Sequence, residues 1–511
     1  MFKSLSLPKL LALNTVSNYA VMIVRVFQGV LITRWLYHYL GDDYYGFWSI
    51  LWAFFTYMIV FNLGFGAATQ KYTAENLFKR DIDKYNRVIS IVLGFYLSVS
   101  AVISAIAVTA SFFLPSWTGL QDPEKISVCQ TALIIFGLGT ALLFPMSMFT
   151  AILMGLKYIY LKNAALIGAR ISELIGIFLI MYFDLGFIAI VVFSVSINLL
   201  FDILLIIMVK REIPGFKLMP SFNMQTMREV CNFSLFAYLT SIGNMIIAKT
   251  DRFVLSAIIG LPAVSSYQIG TRIPDLSQTL ATPFQENVMP LSANLIHTGD
   301  TRRLSSLLLS GMRFSSFISV GTTVLFFILS GEIIRFMFDA NSAEITLICR
   351  IFLISEFVNC AVRGVPARYL LMSGKHKMIA YTTLAEAVMN ISLSIFLCLK
   401  IGIMGVVWGT IIPSLIVTFL IIMPSSIRSL KFTAVDLSLI FVKPFLAVAL
   451  PAAMCLLAQH WLGETLSQFF PLAATCAAAG SVYIATSWIF VLTKNEREMI
   501  LSKIRKTPIP A

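Results

Sequence analysis

Apolar runs of about 20 residues recur from one end of the chain to the other, with short polar stretches between them. An α-helix needs that length to cross a bilayer. The runs are continuously apolar rather than alternating, which excludes the strands of a membrane barrel. Fourteen spans are predicted, at about 13–37, 45–69, 88–113, 127–154, 161–183, 186–209, 230–257, 263–290, 308–331, 345–372, 379–399, 404–424, 437–459 and 470–493. Lys3 and Lys9 before the first run resemble the start of a secretion signal. That run is too long for one, contains Arg25 and lacks a small-residue cleavage site, so it reads as a retained membrane helix. Composition agrees: 58% of the 511 residues are hydrophobic and 12% charged, against about 25% charged in a soluble domain. The expected fold class is an all-α polytopic membrane protein with about 14 transmembrane helices.

The formal net charge of +13 would suggest nucleic acid in a soluble protein. Here the positive residues collect in alternate loops. One set holds Lys71, Lys79, Arg80, Lys84 and Arg87; Lys157 and Lys162; Lys210, Arg211, Lys217 and Arg228; Arg302 and Arg303; Lys375 and Lys377; Arg428 and Lys431; and the tail from Lys494 to Lys506. The other loops hold chiefly Lys125, Arg335 and Lys400. The positive-inside rule makes the rich set cytoplasmic and puts both termini inside, as an even span count requires. No nucleic-acid partner is expected.

The chain also repeats itself. Gly41 and Gly260 precede spans 2 and 8, Gly155 and Gly374 follow spans 4 and 10, and Gly186 and Gly405 open spans 6 and 12. The offsets 260 − 41, 374 − 155 and 405 − 186 are each 219. Spans 1–6 and 7–12 therefore read as two copies of a six-helix unit, with spans 13 and 14 outside the repeat. Six is even, so the copies share one orientation, the parallel repeat of several transporter folds. The expected division is 1–228, 229–430 and 431–511.

Familiar enzyme chemistry is missing. No Gly-x-x-x-x-Gly-Lys-[Ser/Thr] loop is present to cradle nucleotide phosphates. The seven cysteines show no CxxC spacing and the four histidines no HExxH pattern, so neither a disulfide framework nor a metal site is expected. Asp42-Asp43 lacks a third acid nearby and reads as solvated turn charge. The outer loops are too short for a catalytic domain. The expectation is a protein that is not an enzyme and carries no cofactor.

What stands out is charge inside the spans. A cation in hydrocarbon costs about 2.5–3.5 kcal/mol or more, which makes each one a functional candidate. Arg25 lies about twelve residues into span 1, near mid-depth at about 1.5 Å per residue, and has no acid within four residues. Arg272 lies at similar depth in span 8, so in the two-copy reading the two arginines face one cavity from opposite halves. Lys249 clusters with Asp251 and Arg252 in span 7. Arg170 and Glu173 are spaced for an internal pair. Arg272 with Asp275, and Arg363 with Glu356, can each be read as a pair or as cavity lining. Arginine suits phosphate because its planar donors grip two oxygens and it stays charged. Arg25, Arg272 and Lys249 are the candidate substrate ligands. Asp275, Glu173, Glu286, Glu356 and Glu386 are candidates for ion coupling or charge pairing.

The segment Gly41-Asp42-Asp43-Tyr44-Tyr45-Gly46-Phe47, the run Asn62-Leu63-Gly64-Phe65-Gly66-Ala67-Ala68, and Asp251 followed by Ile258-Ile259-Gly260, Val264, Tyr267 and Pro290 resemble the Wzx-type polysaccharide flippases. These belong to the superfamily of multidrug exporters and the lipid II flippase. The resemblance spans roughly residues 8–425, and the last two spans fit the family's extra pair. It implies alternating-access movement of an undecaprenyl-pyrophosphate-linked oligosaccharide, such as an O-antigen unit for lipopolysaccharide, to the outer leaflet of the bacterial cytoplasmic membrane. It implies membrane lipid, a polysaccharide polymerase and glycosyltransferases as partners. Arg25 matches the family's first-helix arginine. The alternatives are a Na⁺- or H⁺-coupled small-molecule exporter, which would carry a carboxylate in span 1, and a membrane glycan polymerase, which would carry a large outer loop.

Overall fold

A computed structural model describes the chain except for residues 1–6, 63–64, 67–68, 71, 74–81, 115–117, 214, 218, 221–234, 299, 339–341, 431–433, 493–496 and 499–511, and except for some helix side chains. Lys71, Lys79, Arg80, Arg228, Lys431, Lys494, Lys503, Arg505 and Lys506 fall outside the described residues. Among those described, all regular structure is helical. The helices are α1 (Leu7–Met58), α2 (Ile82–Phe112), α3 (Pro123–Gly155), α4 (Ile159–Tyr182), α5 (Gly186–Glu212), α6 (Leu235–Ile258), α7 (Leu261–Thr298), α8 (Thr301–Phe338), α9 (Ala343–Phe357), α10 (Gly364–Met372), α11 (His376–Ile401), α12 (Ile403–Val417), α13 (Met423–Leu430), α14 (Ala434–Leu462) and α15 (Phe469–Phe490). π-helical turns at Val358–Arg363 and Thr418–Ile422 join α9 to α10 and α12 to α13.

Eleven described segments are long and apolar enough to cross a membrane. The first contains two spans. At 52 residues, α1 is about 78 Å long at 1.5 Å per residue, more than twice the hydrocarbon thickness of about 30 Å. The two arms of α1 meet at Gly41, with φ 68° and ψ −176°, a backbone region that only glycine enters cheaply. Gly260, at φ 119°, separates α6 from α7 in the same way. These two helices are of spanning length but too polar to stand among the eleven. Lys249, Asp251 and Arg252 interrupt α6, and Gln268, Arg272, Asp275, Gln278, Gln285 and Glu286 interrupt α7. Counting them and both arms of α1 accounts for the fourteen spans.

The helices divide into two compact units, Met1–Ser265 and Ser266–Ala511. In the first, the second arm of α1 packs with α2, α3 and α5 around Phe54, Tyr85, Tyr96, Phe144 and Met148. After Met58 the chain makes a 3₁₀ turn to Asn62, whose Oδ1 accepts from Gly66 N–H at 2.9 Å and from the Tyr96 hydroxyl at 2.7 Å. Asn62 is thus tied to α2 through Tyr96.

The first arm of α1 runs parallel to α4 in one register. Asn14 Nδ2 donates to Lys157 O (2.9 Å), and Asn14 Oδ1 accepts from Tyr160 N–H (2.9 Å). Asn163 Nδ2 donates to Ser17 Oγ (2.9 Å) and Asn18 Oδ1 (2.6 Å). Further along, Gln28 Nε2 donates to Glu173 Oε2 (2.8 Å), Trp35 meets Phe178, and the Tyr39 hydroxyl donates to Asp184 (2.8 Å). Polar contacts of this kind fix helix register where neighbouring lipid supplies no hydrophobic drive.

In the second unit α8 is the central helix, packing on α9, α14 and α15, while α11 pairs with α12. Tyr483 of α15 stacks on Phe317 of α8 at 5.0 Å, and its hydroxyl donates to Phe317 O.

Candidate functional site

Most cations within the spans are matched by the helix packing. Arg170 Nη1 lies 2.7 Å from Glu173 Oε2, and the Gln28 amide donates to the same oxygen. The Arg170 guanidinium also sits 5.8 Å from the centre of the Trp52 ring. Beside it, Trp52, Phe55, Phe136, Thr140, Ser194 and Asn198 line a cavity of about 40 Å³, room for a water or two. Arg363 grips Glu386 with two parallel bonds of 2.7 Å each. The sequence left Arg363 and Glu356, seven residues apart on one helical face, readable as a pair or as cavity lining. The π-helical turn at Val358–Arg363 changes the face on which Arg363 emerges, and Glu386 of α11 takes it. Arg368 donates to Gln285 Oε1 at 2.7 Å and Gly364 O at 3.0 Å. Asp43 holds Lys125 at 2.6 Å, while Asp42 accepts from Ser265, so both turn acids serve as local anchors.

Lys249 is half-buried and Asp251 and Arg252 are buried on α6; Arg252 donates to Ala248 O at 3.0 Å. Arg272 is half-buried on α7. Asp275, one turn on, is exposed, and its charge acts on Glu356. Glu356 accepts from Gln278 Nε2 at 3.2 Å and lies 3.9 Å from Cys360 Sγ, with no cationic partner among the described residues. Glu286 is on α7, with its side chain outside the described residues.

Arg25 differs from the matched cations. It is exposed on α1, and no described residue gives it a hydrogen bond or an ion pair. Glu173 is close in register but already holds Arg170 and Gln28. Among the described residues, the charge of Arg25 acts on Lys162 of α4, which is half-buried. Sequence reading placed Lys162 among loop charges. The signal it lacked was the parallel register of α1 on α4, which no local pattern encodes.

Fourteen helical spans with charge retained at depth define the transporter class of membrane protein. The profile of the polysaccharide biosynthesis protein family matches residues 39–346. The match covers more than half of the chain, and the chain belongs to this family. Curated protein sequences yield no significant match. Among solved structures, the lipid II flippase MurJ in an inward closed conformation superposes with TM-score 0.68 at 19% identity, covering 94% of this chain and 98% of that one. An inward-facing multidrug resistance MATE transporter of the MOP superfamily gives 0.66 at 16%, covering 81% and 96%. A MOP-superfamily transporter from Pyrococcus furiosus gives 0.59 at 15%, covering 83% and 97%. At these identities the likeness establishes a shared flippase and transporter fold.

Proposed function

We propose that this protein is a flippase that carries an undecaprenyl-pyrophosphate-linked oligosaccharide, an O-antigen or other surface polysaccharide unit, from the cytoplasmic to the outer leaflet by alternating access. Its place is the bacterial cytoplasmic membrane with both termini inside, working beside glycosyltransferases and a polysaccharide polymerase. The two bundles of the repeat, 1–228 and 229–430, rock to expose the substrate. The observation that carries this reading is Arg25. Arg170 and Arg363 are neutralised by carboxylates, whereas Arg25 has no carboxylate partner among the described residues. An anionic headgroup is the ligand that such a charge selects. Arg272 and Lys249 are the further cations assigned to the substrate. Among the coupling candidates, Glu356 and Asp275 stand ahead of Glu173 and Glu386, because the latter two are engaged by arginines. The test is glycan export in cells lacking the native copy. Arg25→Ala together with Arg272→Ala is expected to abolish it; intact export by that variant contradicts the reading.

A further inference from the structure

The Arg170 guanidinium of α4 is rich in N–H donors. Among the described residues only Nη1 meets an acceptor, Glu173 Oε2 at 2.7 Å. The same oxygen accepts from Gln28, and Glu173 is buried. A charge pair at membrane depth holds well only when its remaining donors are satisfied too. Arg170 also lines the cavity of about 40 Å³ in the first unit, so the chemistry of the other lining residues decides what completes the pair.

Trp52 and Phe55 of α1 and Phe136 of α3 form its aromatic wall, with the Phe136 ring 5.5 Å from Trp52 and 6.3 Å from Phe55. Thr140 of α3 and Ser194 and Asn198 of α5 supply polar atoms. Thr140 gives its proton to Phe136 O at 2.8 Å, so its oxygen keeps lone pairs for accepting. The Asn198 amide nitrogen donates to Ser194 O at 2.7 Å, which leaves Oδ1 as an acceptor. Ser194 is 1% exposed, and its hydroxyl has no partner among the described residues. A buried hydroxyl left this way is costly. The lining thus combines a cationic donor, a hydroxyl that gives or accepts, and two acceptors. A bound anion needs donors throughout, and a bound cation needs acceptors with no guanidinium beside them. Water gives and accepts, fits the volume, and needs about two to four such partners.

We infer that this cavity is a structural water site, in which ordered water accepts from Arg170 and Ser194 and donates to Asn198 Oδ1 and Thr140 Oγ1. The water completes the solvation of the Arg170–Glu173 pair inside the bundle. It joins α4 to α3 and α5, while Glu173 joins α4 to α1 through Gln28, so one polar network crosses four helices of the first unit. Gln28 is three residues after Arg25, and the network therefore holds the arm that carries Arg25. The site does not depend on which substrate the protein moves.

Hydroxyl-radical footprinting by X-ray radiolysis tests this on the full-length protein in lipid nanodiscs, because radicals arise at bound water and label the side chains beside it. Phe136 is 3% exposed and Phe47 is 0% exposed, so without bound water both should stay unlabelled. The native protein is expected to label Phe136 well above Phe47. Ser194→Val should bring Phe136 down to the level of Phe47 and lower the melting temperature by about 2–4 °C. Ser194→Thr adds nearly the same bulk and keeps the hydroxyl, so labelling and melting should stay close to native. In an Arg170→Met, Glu173→Gln background no charge needs solvating, and Ser194→Val should be neutral or stabilising because it fills space. Native labelling of Phe136 no higher than that of Phe47 overturns the proposal. So does labelling that survives Ser194→Val, or a Ser194→Val protein that melts at or above Ser194→Thr, the result for a dry cavity. An equal loss of stability in both backgrounds also overturns it, since the water would then not serve Arg170. If Ser194→Val does not fold, the comparison of Phe136 with Phe47 in the native protein still decides.

Discussion

Arg363 and Arg25 show the two fates of a membrane cation. Arg363 and Glu386 are mostly buried, with side chains 17% and 2% exposed, and each leaves the other uncompensated if removed. Glu386→Gln is expected to destabilise the protein by about 3–5 kcal/mol, the usual cost of breaking a buried pair. Adding Arg363→Met should recover most of that loss in a denaturant titration in micelles. Arg25→Ala should behave oppositely: unfolding is unchanged, and transport falls about tenfold or more, the loss of one charge-assisted contact to substrate. Arg25 was legible in the sequence because no acid stands near it on its own helix. Arg170 and Glu173 were legible because an i, i+3 spacing is local. Glu386 was hidden, since it reaches Arg363 from another helix and a π-helical turn displaces the seven-residue face.

The helices themselves were written in the apolar runs, and the exceptions have physical causes. Span 2 carries a 3₁₀ turn at Ile59–Asn62, where Asn62 accepts from Gly66 and Tyr96. α6 and α7 are of spanning length yet polar, which fits helices that line a path for a charged substrate. Gly41 and Gly260, read first only as repeat markers, both mark helix breaks with positive φ. Gly41→Ala is expected to cost about 1–3 kcal/mol through backbone strain alone, because the space beside Gly41 is open. Thermal unfolding measures this directly, and Gly331→Ala, where the space is also open within α8, should be near neutral or stabilising by about 1 kcal/mol.

At the scale of the whole molecule, direction follows from charge. An inside-negative potential favours outward movement of an anion by about 2.3 kcal/mol per charge per 100 mV. Imposing such a potential on proteoliposomes should therefore speed transport of a diphosphate-linked glycan. If a cation moves inward through Glu356 in compensation, Glu356→Gln should change the size of that response. The helical membrane fold was visible from hydropathy and the family from its motifs. The pairing of charges between helices was not, because it depends on register and on which faces meet. The most direct measurement is reconstitution of the purified protein with a fluorescent undecaprenyl-pyrophosphate-linked oligosaccharide, scoring its appearance in the opposite leaflet. The account requires transport by the native protein and its fall by about tenfold or more in Arg25→Ala. No transport by the native protein, or equal transport by Arg25→Ala, contradicts it.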